Sequence, residues 1–168
     1  MANLIDLYRE RGFLYQTTDE EMARKAFDDG VVTGYIGFDV TAPSLHIGSL
    51  VQIMLLAHLQ RAGHKPIVLV GGGTTQVGDP SGKTEMRKML TPEAIEANKA
   101  AVRENLGRFL TFGDGPTDAV MLDNADWLLG LNYIDFLRDV GRHFSVNRML
   151  SAESVQIRLE KGLSFLEF

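Results

Sequence analysis

Apolar positions recur along the chain in two alternating rhythms. Leu4, Leu7 and Tyr8 share a helical face, and Gly12 can end that opening helix. Thr18-x-x-Glu21 is a capping box that predicts a second helix, stopping at Gly30. Val31 to Phe38 then reads as a strand. A turn containing Pro43 leads into a long amphipathic helix from about His46 to Ala62, closed by Gly63. Pro66 to Val70 is wholly apolar, the pattern of a buried parallel strand. Gly71 to Gly82 reads as a glycine-rich loop. Thr91-Pro92-Glu93 supplies an N-cap, a proline at the first helical position and an acid in the first turn. Ile95, Val102, Leu106, Phe109 and Leu110 continue that helix. Ala119 to Leu122 predicts a third strand, and helical segments follow over about Asn132 to Gly141 and Ser151 to Lys161.

Strands that alternate with helices predict an α/β domain with a parallel sheet. Such sheets bind ligands at the carboxyl ends of their strands. The loops over 38–49 and 71–83 both follow a predicted strand, so both are candidates. A length of 168 residues fits one domain. Ser164-Phe165-Leu166-Glu167 is a further capping box, yet the sequence stops at Phe168. A start signal with no helix behind it predicts that the chain is cut short.

Composition narrows the chemistry. Cysteine is absent, which excludes disulfide frameworks, cysteine-ligated zinc and thiol nucleophiles. A net charge of −5 argues against a chain that grips nucleic acid by charge alone. Apolar runs as short as Ile67 to Val70 predict no membrane span, and the N-terminus lacks a signal-peptide layout, so a cytoplasmic protein is expected. Gly78-Asp79-Pro80-Ser81-Gly82-Lys83-Thr84 is one residue short of a P-loop, with Val77 where the first glycine belongs. Gly71-Gly72-Gly73 fails the dinucleotide fingerprint, because Gln76 stands at the third glycine. No metal-ligand spacing occurs, so no protein-built metal site is expected.

The richest segment runs from Tyr35 to Leu50. A strand delivers Asp39 and Thr41 to its carboxyl end, and a turn brings His46 to a helix N-terminus, where free N–H groups favour anions. Gly48 lets a flat ring approach the backbone. A nucleoside triphosphate suits this arrangement, with phosphates near Thr41 and His46 and the base near Gly48. Taken singly, each residue also has a plain reading: His46 as a cap, Thr41 and Pro43 as turn formers, Gly48 as a packing residue.

Together these residues resemble the class I aminoacyl-tRNA synthetases. Leu45-His46-Ile47-Gly48-Ser49 is similar to that class's signature. Tyr35-x-Gly37-Phe38-Asp39-x-Thr41-Ala42-x-Ser44-Leu45-His46 resembles the bacterial tyrosyl branch more narrowly. Gly78-Asp79-Pro80-Ser81-Gly82-Lys83-x3-Arg87, Asn124-x-Asp126-Trp127, the run from Phe136 to Asn147, and Gly162-x-Ser164-Phe165-x-Glu167-Phe168 resemble later blocks of that branch. Ser49 departs from the pattern, standing where the signature often has a second histidine.

The resemblance implies a Rossmann-like parallel sheet, truncated, with residues 1–168 forming the N-terminal part of the catalytic domain and the start of its helical insertion. It implies ATP-dependent activation of L-tyrosine and transfer to tRNA(Tyr), with Mg2+ accompanying ATP. By resemblance Thr41, His46, Lys83 and Arg87 act on the phosphates. Gly37, Asp39, His46, Gly48 and Ser49 bind ATP or the adenylate, and Tyr35, Leu69, Thr74, Asp79 and Asn124 bind tyrosine. From their residue types alone, Tyr35 also suits a core aromatic, Asp79 a turn former, and Lys83 with Arg87 a solvated basic stretch. The resemblance further implies a homodimer formed through Asn132 to Leu150 and Phe165, although Ile134, Phe136, Leu137 and Phe144 also suit a core. The family's later segments are missing from these 168 residues, so little activity is expected of them alone. The alternative is a standalone nucleotide-binding or interaction half-domain.

Overall fold

The computed structural model describes residues 3–77, 90–159, 162 and 165. Asn3 opens the first helix, α1 (Leu4–Glu10), by accepting the Ile5 N–H on its side chain. Its amide also donates to the Arg24 carbonyl at 3.0 Å in α2 (Glu20–Asp29), which joins the two helices. The cap of α2 is Asp19, whose carboxylate accepts from Met22 N–H at 2.8 Å, rather than the expected Thr18. Both are good caps, and the carboxylate adds favourable charge at the dipole's positive end.

The sheet is parallel, in the order β1 (Thr33–Phe38), β2 (Lys65–Val70), β3 (Val120–Asp123). One face is packed. Phe38, Val68 and Val70 join Ile53, Leu56 and Leu59 of α3 (Ser49–Arg61) and Ile95, Val102 and Leu106 of α5 (Pro92–Leu106) in one apolar cluster. Tyr8 of α1 packs against this cluster, and its hydroxyl donates to the Leu55 carbonyl at 2.8 Å. Gly63, at φ +86°, turns the chain from α3 into β2.

The other face is open. Burial along β2 alternates, with Pro66, Val68 and Val70 buried and Ile67 and Leu69 only half-buried. The expectation of a fully buried strand is therefore corrected. Its apolar run faces the core on one side and, among the described residues, an uncovered surface on the other.

Several boundaries also move. Helix α3 begins at Ser49, not His46, and α5 ends at Leu106. The Gly107 N–H bonds the Arg103 carbonyl there, leaving Phe109 and Leu110 beyond the helix. The glycine-rich loop after β2 contains a short helix, α4 (Gly72–Val77). After β3 come α6 (Ala125–Leu128), α7 (Tyr133–Asp139), a 3-10 turn (Gly141–His143), α8 (Val146–Leu150) and α9 (Glu153–Leu159). The capping box at Ser164 to Glu167 lies outside the described residues.

Candidate active site

The three strands finish level. Phe38 pairs with Val70, and Val70 with Asp123. The loops that follow are tied to one another at once, since Gly71 N–H donates to the Phe38 carbonyl and Asn124 N–H to the Val70 carbonyl, both at 3.0 Å. Asp39, Gly71 and Asn124 therefore stand side by side at the carboxyl edge of the sheet. A Cβ on Gly71 would lie 3.8 Å from Asp39 Oδ1. One row back, Gly37 pairs with Leu69, and Leu69 with Leu122, on the open face. Tyr35 lies two residues earlier on that face and is 70% exposed, which excludes a core aromatic. A Cβ on Gly37 would meet nothing within 4 Å, so the space above it is clear.

Helix α4 exists because of distant caps. Asp123 Oδ1 accepts the Gly72 N–H at 2.9 Å, and Asn124 Oδ1 accepts the N–H groups of Gly73 and Thr74 at 2.8 and 3.4 Å. Orphan donors at a helix start need such partners, and here they come from the end of β3. Asn124 Nδ2 donates to Thr74 Oγ1 at 3.1 Å, and that hydroxyl donates to the Gly71 carbonyl at 3.2 Å. Thr74 and Asn124, two of the five residues expected to bind tyrosine, are thus one bonded unit.

His46 sits in the turn just before α3. The Gly48 N–H donates to His46 Nδ1 at 3.0 Å, and the Ser49 N–H to the His46 carbonyl at 2.9 Å. A ring that accepts at Nδ1 carries its proton on Nε2 when neutral, so Nε2 is the free donor. A Cβ on Gly48 would lie 2.8 Å from His46 Cε1. The ring that approaches this glycine is thus His46's own. Ser49 is buried at the first residue of α3, and Thr41 is half-buried. Asp79, Lys83 and Arg87 lie outside the described residues. Among the described residues no group of three or more His, Cys, Asp or Glu is placed to hold a metal ion, and no helix is long and apolar enough to cross a membrane.

Asp123, Lys99 and Asn98 were not singled out from the sequence. Lys99 Nζ lies 2.5 Å from Asp123 Oδ2 and 2.7 Å from Glu96 Oε1. Burial pushes the Asp123 carboxyl up, but Lys99 and the N–H groups of Ala125 and Gly72 outweigh it and hold it below the usual carboxylate range. Asn98 Nδ2 donates to the Val40 carbonyl at 2.9 Å. A signal for Asn98 was present: it stands on the apolar stripe Ile95, Val102, Leu106, where a helix facing the core should be apolar.

A parallel sheet with tied loops at its carboxyl edge, a histidine poised before a helix and an open apolar face define a Rossmann-like α/β domain of the kind that seats nucleotides at strand ends. The family model for class I tRNA synthetases (W and Y) matches residues 28–168, and the chain belongs to that family. It is 59% identical over 168 residues to the tyrosine–tRNA ligase of Clostridium beijerinckii, covering 100% of this chain and 41% of that protein. It is 62% identical over 169 residues to the tyrosine–tRNA ligase of Novosphingobium aromaticivorans, covering 99% of this chain and 41% of that one. The chain therefore spans about two fifths of the length of these relatives. In structure it is similar to a C-terminally truncated mitochondrial tyrosyl-tRNA synthetase of Aspergillus nidulans, with a TM-score of 0.84 at 26% identity, over 99% of this chain and 50% of that chain.

Proposed function

We propose that the full-length polypeptide carrying this sequence activates L-tyrosine with ATP and transfers the tyrosyl group to tRNA(Tyr). The observation that carries this reading is the level finish of the three strands, which sets the Asp39–His46 loop beside the Thr74–Asn124 unit. In the first step the tyrosine carboxylate attacks the α-phosphate of ATP, and pyrophosphate leaves. A carboxylate needs no general base, so the protein's task is to hold both substrates and to stabilise charge growing on the leaving group.

His46 Nε2 and Thr41 supply donors toward the phosphates, with Lys83 and Arg87 adding positive charge. Gly37 and Asp39 seat the adenylate, and the turn from His46 to Ser49 borders the nucleoside, with Gly48 packed by the His46 ring and the Ser49 side chain buried. Tyr35 and Leu69 line the tyrosine side with Thr74, Asn124 and Asp79, the last receiving the substrate ammonium. Mg2+ enters with the ATP phosphates rather than on a protein-built site.

The same reading makes the protein a cytoplasmic homodimer. Ile134 and Phe144 are 66% and 62% exposed, and Phe136 and Leu137 are exposed as well, so these residues are not core in this chain. Exposed apolar side chains of this kind support a partner surface there. The test is tyrosine-dependent ATP–pyrophosphate exchange and charging of tRNA(Tyr) by the full-length polypeptide. Exchange with tyrosine and not with phenylalanine is expected. Exchange that is absent, or indifferent to the phenol, overturns the reading.

A further inference from the structure

We infer that Asn98 and Lys99 of α5 are positioning residues that set the phosphate-side loop and the tyrosine-side unit relative to one another. The inference rests on the function proposed above and adds two residues that touch no substrate. These neighbours on one helix reach opposite halves of the site. Asn98, 9% exposed, holds the carbonyl of Val40, the residue between Asp39 and Thr41. Lys99 holds Asp123, whose other oxygen accepts the N–H groups of Gly72 and Ala125 at 2.9 Å each. Through these two bonds Asp123 fixes the starts of both α4 and α6, and so the frame around Thr74 and Asn124. Asn105, two turns along α5, also reaches the loop, with Nδ2 3.4 Å from the Pro43 carbonyl. Helix α5 is itself anchored in the core by Ile95, Val102 and Leu106, so it is a rigid base for both contacts.

The arrangement predicts a division of labour. Without Asn98 the buried Val40 carbonyl loses its donor, and the loop carrying Thr41 and His46 can shift. Without Lys99 the Asp123 carboxylate is left nearly buried without its cation, and a carboxylate in that state turns toward water and releases Gly72. A displacement on the order of 1 Å at a reacting group lowers rate by about 100-fold.

The test uses the full-length polypeptide and measures KM for ATP and for tyrosine separately in pyrophosphate exchange. Asn98→Ala should raise KM for ATP or lower kcat by roughly 10- to 100-fold, with KM for tyrosine unchanged. Lys99→Met should raise KM for tyrosine with KM for ATP unchanged. Adding Asp123→Asn to Lys99→Met should restore most of the loss, because asparagine still accepts from Gly72 and Ala125 but carries no charge. Hydrogen exchange across Gly71 to Val77 gives a readout without activity: faster in Lys99→Met, slow again in the double variant. An active wild type whose folded variants change neither KM nor kcat, or change both KM values equally, overturns the inference. So does a double variant no better than Lys99→Met in either readout. A wild type inactive in exchange instead overturns the functional reading, and the hydrogen-exchange comparison then still decides whether Lys99 acts through Asp123.

Discussion

Replacing Gly72 with alanine should unfold the carboxyl edge of the sheet first. A Cβ there would lie 2.3 Å from Asp123 Oδ2, 2.5 Å from Oδ1 and 2.7 Å from Cγ, well inside contact distance. The carboxylate cannot yield freely. It is buried, and it is held by Lys99 and by the N–H groups of Gly72 and Ala125. Overpacking at a well-packed site costs about 1–3 kcal/mol. If the carboxylate swings away instead, each bond it loses to a charged group costs about 1.5–3 kcal/mol. Alanine's better helix propensity returns about 1 kcal/mol at most. A net loss of about 2–4 kcal/mol is expected, which for a domain of this size lowers Tm by roughly 5–15 °C. Urea unfolding followed by circular dichroism measures it. A Gly72→Ala protein within about 0.5 kcal/mol of wild type would refute the packing argument.

Gly37→Ala is the matching control. Its Cβ meets nothing within 4 Å, so stability should stay within about 0.5 kcal/mol while pyrophosphate exchange falls, and a variant that loses stability but keeps activity would contradict the open-face assignment. Burial, then the charges of Arg11 and Arg61, hold the His58 imidazole below the usual histidine range. The unfolded chain therefore takes up a proton near pH 6.5 while the native chain stays neutral. This contribution is complete above that pH and is lost as pH falls toward the native value, by up to about 1.4 kcal/mol per pH unit. His58→Gln should flatten that slope in urea titrations between pH 7.5 and 5.5, and an unchanged slope would rule out His58 as its source. Ile134→Glu should convert a full-length dimer to monomer in sedimentation velocity, and an intact dimer would place the interface elsewhere.

The parts of this fold readable from sequence are those encoded locally. The strands at Thr33–Phe38, Lys65–Val70 and Val120–Asp123 were expected within two residues, because apolar runs bounded by turn residues carry that signal. Gly63 and Gly12 closed their helices as expected, both at positive φ. Helix α4 was not readable. Gly72 and Gly73 disfavour a helix, and the side chains that cap it, Asp123 and Asn124, stand about 50 positions away. The late start of α3 has a similar cause: Pro43 and the His46 ring hold a turn where the apolar pattern alone continues a helix. For the candidate site, the loop from Tyr35 to Ser49 stands out by residue type, whereas Thr74 and Asn124 enter only through the resemblance, and the hydrogen bond between them is not legible in the sequence. Lys99 and Asp123 were not, since nothing in either's neighbourhood announces a partner 24 residues distant.

The most direct test of the central claim, that the carboxyl edge of this sheet is where tyrosine is activated, is the exchange rate of His46→Ala in the full-length polypeptide. Loss of one donor to a charged group corresponds to about 1.5–3 kcal/mol, or roughly 10- to 150-fold in kcat, with KM for tyrosine little changed. A variant that exchanges pyrophosphate as fast as wild type would contradict the assignment of this loop to the phosphates.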